Sequence, residues 1–417
     1  MAEGVSDATT PLGFIAVHVG AGFHCPAKGK THKQLCHQAC LQAAKLLRQR
    51  KSATEALRAA MVSLENSPLT NAGYGSNLTL AGSVECDASI MDGGTLHYGA
   101  VGAVSGVKNP ILVAESLMRS QLKGTFSMGR IPPSTLVGPG AHSWALSQGI
   151  PTVAEADLIA EKSFHTYAKH KRKLDEIESR QPCKARKIDN SGPQKKQVNS
   201  TDGTVDSDDE DEDRIYDTIG AICMDHTGNI ISAVSSGGII LKQAGRIGQA
   251  AMYASGCWSE NDEETKTGVG ISTSGTGEHL VKTLFAKTCA DCIRNSPDPT
   301  SSLYKVFHDD FLNSRLLKNV KDKYGGTLAL KADYSDPAKY QVEVMWAHTT
   351  DSMCLAYMSA ADNSLRTLIS RLPADKKAGK FCVVQSDSFN LTKTAFSEIT
   401  ENGDQQVIVE AEGIVEV

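Results

Sequence analysis

Apolar runs broken by glycine-rich turns organise the chain into two halves on either side of a polar interruption. Phe14-Ile15-Ala16-Val17-His18-Val19 predicts a buried strand that runs into Gly20-Ala21-Gly22, where missing side chains let a ligand or another backbone come close. Helical spacing follows and predicts helices over about Thr31–Arg50 and Ala53–Asn66. The second opens with a capping box, Ser52 with Glu55, and carries the core stripe Leu57, Ala60, Met61 and Leu64. After the turn-rich loop Asn71–Asn77, the stretch Glu85–Gly93 leads into a strand of small residues, Tyr98–Val104, which requires another layer packed closely on it. Asn109-Pro110 opens a helix whose face is Ile111, Ala114, Met118 and Leu122 and which Gly124 ends; a further helix covers about Gly140–Gln148.

The pattern decays after Ser163. Residues 165–217 read as one long disordered connection, so the first half has an ordered core of about 13–164. The connection carries basic clusters at Lys169–Lys173, Lys184–Lys187 and Lys195-Lys196, then an acidic run from Asp202 to Asp213. Over Tyr167–Arg180 the rival reading is a solvated helix. Apolar order returns at Thr218. Ile219–Met224 predicts a strand, Asp225-His226-Thr227-Gly228 a hairpin turn and Asn229–Ser235 the return strand. Gly268–Glu278 predicts a strand and a Gly/Ser/Thr loop that opens a long helix through Arg294. A polar stretch runs to about Lys323, and three strands follow at Thr327–Ala332, Gln341–Ala347 and Met353–Tyr357.

The 417 residues include 40% hydrophobic positions, enough for a large core, and the net charge of −5 gives no support for nucleic-acid binding. No apolar run is long enough to span a bilayer, and the first residues show no secretory pattern. The 11 cysteines are scattered and read as reduced thiols. Paired basic clusters match a bipartite nuclear-import signal, so the expected location is the nucleus, with cytoplasm as well, and an import receptor is an expected partner. Glu85, Asp87 and Asp92 lack the dense alternation of a calcium loop, so no metal is expected, and no cofactor.

Candidate chemistry centres on Thr218, at the border between the solvated connection and a core strand. If the bond Asp217–Thr218 were cut, Thr218 would carry a hydroxyl nucleophile and an α-amine with a pKa of about 7.7–8.0, able to serve as its base. Such a nucleophile needs oxyanion donors, which Ser274 and Gly275 offer from a strand-end loop. Ser236 is placed to orient the hydroxyl, and Arg246 between glycines is suited to grip a carboxylate with two hydrogen bonds. His18 reads as a structural histidine, with catalysis as the rival.

The order of Thr218-Ile-Gly-Ala, Asp225-x-x-Gly-Asn229, Ser235-Ser236-Gly237-Gly238, Gly245-Arg246-x-Gly248 and Ser272-Thr-Ser274-Gly275-x-Gly277-Glu278 resembles the type 2 asparaginase family of N-terminal nucleophile hydrolases. His18-Val-Gly20-Ala21-Gly22, Asn71-Ala-Gly73-x-Gly75-Ser76 and Glu85-x-Asp87-Ala-Ser89-Ile-Met-Asp92-Gly93 resemble that family's first-half motifs. The resemblance implies an α/β fold, a four-layer α-β-β-α sandwich. It also implies self-cleavage into an α subunit, 1–217, and a β subunit, 218–417, that stay associated, with a dimer of such pairs left open. Thr218 would be nucleophile and base with Ser236 in support, Ser274 and Gly275 the oxyanion hole, and Arg246 the carboxylate holder.

Where asparaginases of the family place an aspartate for the substrate's α-ammonium, this chain has Gln249. Together with the basic connection and Trp346–Cys354, that resembles the family's endopeptidase branch, which cuts nuclear regulatory proteins after an internal aspartate. Lys28 and Asn71 then join Arg246 and Gln249 as substrate-binding candidates, although Lys28 also reads as a plain surface lysine and Asn71 as a turn residue. The rival functions are an asparaginase or isoaspartyl peptidase, and an uncut nuclear binding protein acting through its connection.

Overall fold

The computed structural model describes residues 12–180, 218–361 and 364–392. Two β-sheets carry the fold. The strands are β1 (Phe14–Gly22), β2 (Cys86–Asp92), β3 (Tyr98–Val104), β4 (Thr135–Val137), β5 (Ile219–Met224), β6 (Ile230–Ser236) and β7 (Cys257–Asp262). They continue as β8 (Thr267–Gly275), β9 (Gly325–Asp336), β10 (Lys339–His348), β11 (Ser352–Ser359), β12 (Arg366–Arg371) and β13 (Val383–Thr392). The eight-stranded sheet has the order β12-β11-β1-β5-β6-β2-β3-β4, and the five-stranded sheet β13-β10-β9-β8-β7. β5 therefore lies between β1 and β6, so strands from before and after the Asp217–Thr218 bond interleave in one hydrogen-bonded sheet.

The helices are α1 (Gly29–Arg48), α2 (Ala53–Glu65), α3 (Pro110–Leu122), α4 (Gly138–Ser147), α5 (Glu161–Arg180), α6 (Gly277–Lys282), α7 (Phe285–Arg294) and α8 (Pro299–Lys305). Leu35, Ala39, Leu57, Met61 and Leu117 of α1–α3 bury against Val17, Ile90 and Ala221 of the larger sheet. Ile222 and Ile230 of that sheet meet Leu328, Val344 and Trp346 of the smaller one in a second apolar layer. Phe285 of α7, with Phe307 and Phe311, closes a third against Ile271 and Ala329. The three rings lie within 4.8–6.1 Å of each other, a geometry that adds about 1 kcal/mol per pair beyond area burial. The mixed α/β class expected from the chain is thus observed, as two sheets with helices.

Several local expectations need correction. The connection assigned to residues 165–217 is helical at its start. Glu161–Arg180 is α5, and Tyr167 on it donates its hydroxyl to the Leu80 carbonyl at 3.2 Å, so an aromatic anchor sets the helix on the body. Residues 181–217, with the second basic cluster, the acidic run and Asp217, lie outside the described residues. The long helix after Gly277 is two, because Leu284 adopts a left-handed φ of 47° between α6 and α7. The stretch taken as polar beyond Asn295 holds α8 and a π-helical segment, Val306–Leu312, whose Phe307 and Phe311 are fully buried. The capping box of Ser52 and Glu55 is present as read.

Candidate active site

Strand register assembles the site. Ile219 pairs with Ser235 across β5 and β6, which sets Thr218, just before β5, beside Ser236. Asp87 of β2 pairs with Ser236 on the other side. Thr218 is 3% exposed, and its hydroxyl donates to Ser236 Oγ at 3.1 Å while accepting from Gln249 Nε2 at 3.3 Å. Ser236 Oγ also accepts from the Gly238 N–H at 3.0 Å, so its remaining orientation is fixed toward the threonine. One cleft is lined by Asn71, Thr218, Ser236, Gly238, Ile239, Arg246, Gln249, Gly275 and Gly277.

The two sheets meet tightly behind Thr218. A Cβ on Gly220 would lie 1.9 Å from Ser272 Oγ and 2.4 Å from His18 Nε2, so only glycine fits where the nucleophile's strand crosses them. His18 Nε2 lies 2.9 Å from Ser272 Oγ. Burial pushes its imidazole down to about 3, against the opposing pull of the Thr218 backbone, so His18 stays neutral, and it is not among the residues lining the cleft.

Asn71 donates from Nδ2 to the Gly238 carbonyl at 2.8 Å, accepts from the Asn77 N–H at 2.9 Å, and receives the Gly237 N–H on its own carbonyl at 2.8 Å. It both lines the cleft and shapes the turn after Ser236. Gly275 ends β8 with a φ of 134° and lines the cleft. Ser274 does not share that lining. It is fully buried and its Oγ accepts the Ala21 N–H at 2.8 Å, because alternation along β8 turns it toward β1. Lys28 is exposed at the start of α1 and is not among the lining residues; its carbonyl receives His32 Nδ1 at 3.1 Å.

Arg246 is mostly buried and already gripped. Its Nε and Nη2 donate to the two carboxylate oxygens of Glu278 at 2.9 and 2.8 Å. Nη1 remains beside Gly238 and Gly248. Burial raises the Glu278 carboxyl, and the hydrogen bonds and charge of Arg246 outweigh it, leaving it below the usual carboxylate range. Asp87 holds the loop that carries Arg246 and Gln249: Oδ2 accepts from Gly248 at 2.7 Å and Oδ1 from Ala103 at 2.8 Å.

Behind Ser235 lies Glu65, fully buried. Its Oε1 accepts from Ser235 Oγ at 2.7 Å and from the Ile111 N–H at 3.1 Å, and burial pushes its carboxyl up to about 7. Neither Glu65 nor the Glu278 clamp had a role assigned from sequence. The Gly-x-Gly277-Glu278 spacing was visible, but a pairing across 32 residues has no local signature.

The arrangement provides a threonine hydroxyl held by two polar side chains, a guanidinium beside it and a backbone-lined end. Residues 12–365 match the type 2 asparaginase family, described as Asparaginase. The chain is 28% identical to the isoaspartyl peptidase/L-asparaginase of Xenopus laevis over 355 residues, covering 85% of this chain and 97% of that protein. It is 32% identical over 262 residues to the human isoaspartyl peptidase/L-asparaginase, covering 62% and 70% respectively. The isoaspartyl peptidase of Salmonella typhimurium is 32% identical over 277 residues, 65% of this chain and 76% of that protein.

Proposed function

This chain belongs to the type 2 asparaginase family of N-terminal nucleophile hydrolases, and on that premise we propose that it is a self-processing threonine endopeptidase of the threonine aspartase kind, cutting proteins after aspartate. The observation that carries the reading is uncharged Gln249, which donates to the nucleophile's hydroxyl where a carboxylate would be needed for the α-ammonium that free asparagine and an N-terminal isoaspartyl residue both carry. Arg246 is the one cation among the described lining residues; Glu278 pairs its Nε and Nη2, and Nη1 is the group left for an anionic side chain.

In the processing step the Thr218 Oγ attacks the Asp217 carbonyl carbon. The C–N bond breaks, the nitrogen becomes the free α-amine of Thr218, and water hydrolyses the resulting ester. In turnover that amine takes the hydroxyl proton, Oγ forms the acyl ester with the substrate aspartate, and the proton passes to the departing amine. A water deprotonated by the same amine then releases the aspartyl product. Ser236 and Gln249 hold the hydroxyl, Gly275 backbone faces the developing oxyanion, and Arg246 pairs the substrate carboxylate through Nη1.

The interleaved strands support an α subunit, 1–217, and a β subunit, 218–417, that remain associated after the cut. The helix-covered pair of sheets supports the four-layer α-β-β-α sandwich. Nuclear import is proposed from the basic clusters, of which Lys169–Lys173 lies on α5 with Arg172 and Lys173 exposed.

The named relatives favour a second reading, asparaginase or isoaspartyl peptidase activity. Parallel assays of the processed protein on free asparagine, an isoaspartyl dipeptide and a peptide with internal aspartate decide between the two. Our reading expects cleavage of the last alone, and turnover of the first two with the third untouched would overturn it.

A further inference from the structure

The Glu85-x-Asp87 pair had no assigned chemistry, and its surroundings give it one. Lys242 is 2% exposed, among the largest buried side chains of the protein. A lysine is rarely fully buried unless paired. Its Nζ donates to the Glu85 backbone carbonyl. Its own carbonyl accepts the Leu80 N–H at 2.9 Å. Three residues on, the Gly245 N–H donates to the Glu85 carboxylate at 2.8 Å. Three further on, Gly248 N–H reaches the Asp87 carboxylate at 2.7 Å. The loop that carries Arg246 and Gln249 is therefore pinned at three points to one short stretch of chain, residues 85–87.

Asp87 is buried, and two backbone N–H groups do not carry a full positive charge. Burial raises the Asp87 carboxyl above the usual carboxylate range, and the charge of Lys242 is the strongest influence opposing that rise, ahead of the two N–H groups and Arg246. A Cβ on Gly238 would meet Arg246 Nη1 at 2.9 Å and Lys242 Nζ at 3.4 Å, so both cations flank the same cleft residue.

We propose that Lys242 is a positioning residue for the reaction: its buried Nζ, bonded to the Glu85 carbonyl, holds the 242–249 loop on residues 85–87 so that Arg246 and Gln249 face Thr218. The enzymatic readout rests on the endopeptidase reading; the structural one does not.

The test compares Lys242→Met with Lys242→Arg, which keeps a donor for the Glu85 carbonyl. Amide hydrogen exchange is read by mass spectrometry in the full chain kept whole by Thr218→Ala, and kcat/KM is read in the processed enzyme on an internal-aspartate peptide. Expected is at least tenfold faster exchange at Gly245 and Gly248 and at least tenfold lower kcat/KM in Lys242→Met. Lys242→Arg should keep each within threefold of wild type. Exchange within twofold of wild type in a folded Lys242→Met chain overturns the proposal, as does a folded Lys242→Arg chain that behaves like Lys242→Met. Should Lys242→Met not fold, a folded Lys242→Arg chain with slow exchange supports it, and failure of both overturns it. If the exchange results hold and wild type cuts no aspartyl peptide, only the endopeptidase reading falls.

Discussion

Glu65→Gln gives the most quantitative test of the packing behind the site. The Glu65 carboxyl is fully buried, and its Oε1 already accepts two hydrogen bonds that a glutamine oxygen can accept equally well. Its Oε2 makes no hydrogen bond within contact distance and the Asn109 side chain exerts only the smallest pull on the carboxyl, so the amide nitrogen displaces little. Burial lifts the carboxyl from 4.5 to about 7. Because the folded pKa is the higher one, folding retains a proton that the unfolded chain releases, and the stabilisation is complete below pH 4.5. It is lost as pH rises from about 4.5 to about 7. At about 1.4 kcal/mol per pH unit, that lift weakens wild type by about 3 kcal/mol across the window. Glutamine does not titrate, so the variant should lose this component of the pH dependence and match or exceed wild type above pH 7. Urea unfolding of the Thr218→Ala chain from pH 4 to 8, with and without Glu65→Gln, measures it. Parallel pH profiles for the two chains would refute the assignment of a raised carboxyl at Glu65.

Gly220→Ala forces a Cβ to 1.9 Å from Ser272 Oγ, so stability should fall by about 1–3 kcal/mol and activity should fall with it, seen by urea unfolding and peptide turnover. Arg246→Lys keeps the charge but cannot hold Glu278 by the two-pronged contact, and kcat/KM on an aspartyl peptide should drop at least about tenfold with the melting temperature unchanged. Gln249→Asp places a carboxylate beside Thr218, and steady-state assays should show asparagine hydrolysis rising while aspartyl peptide cleavage falls.

Elements with strong apolar patterning were legible: β1, β3, β5 and β6 are buried at every position, and their sequences say so. β12 and β13 are edge strands of mixed exposure, and Arg366-Thr-Leu-Ile-Ser-Arg371 or Val383–Thr392 carries no clean alternation to read. α5 looked like part of the connection because its charge masks the residues that hold it, Ser163 on the Gly75 carbonyl and Tyr167 on the Leu80 carbonyl. At the site, Thr218, Ser236 and Arg246 were singled out from local motifs and Gln249 from the family resemblance; register sets Thr218 beside Ser236, and Asp87 holds the loop that brings Arg246 and Gln249. What stayed hidden depends on partners distant in the chain. Arg246 is clamped by Glu278, Ser235 meets Glu65 from 170 positions away, and Ser274 turns to Ala21.

The central claim is that Thr218 is a nucleophile freed by the chain's own chemistry. Intact mass of the purified protein, wild type beside Thr218→Ala, tests it most directly. The account predicts two fragments meeting at 217/218 in wild type and one uncut 44.5 kDa chain in the variant. A wild-type chain that stays whole, or a variant cut at the same bond, would contradict it.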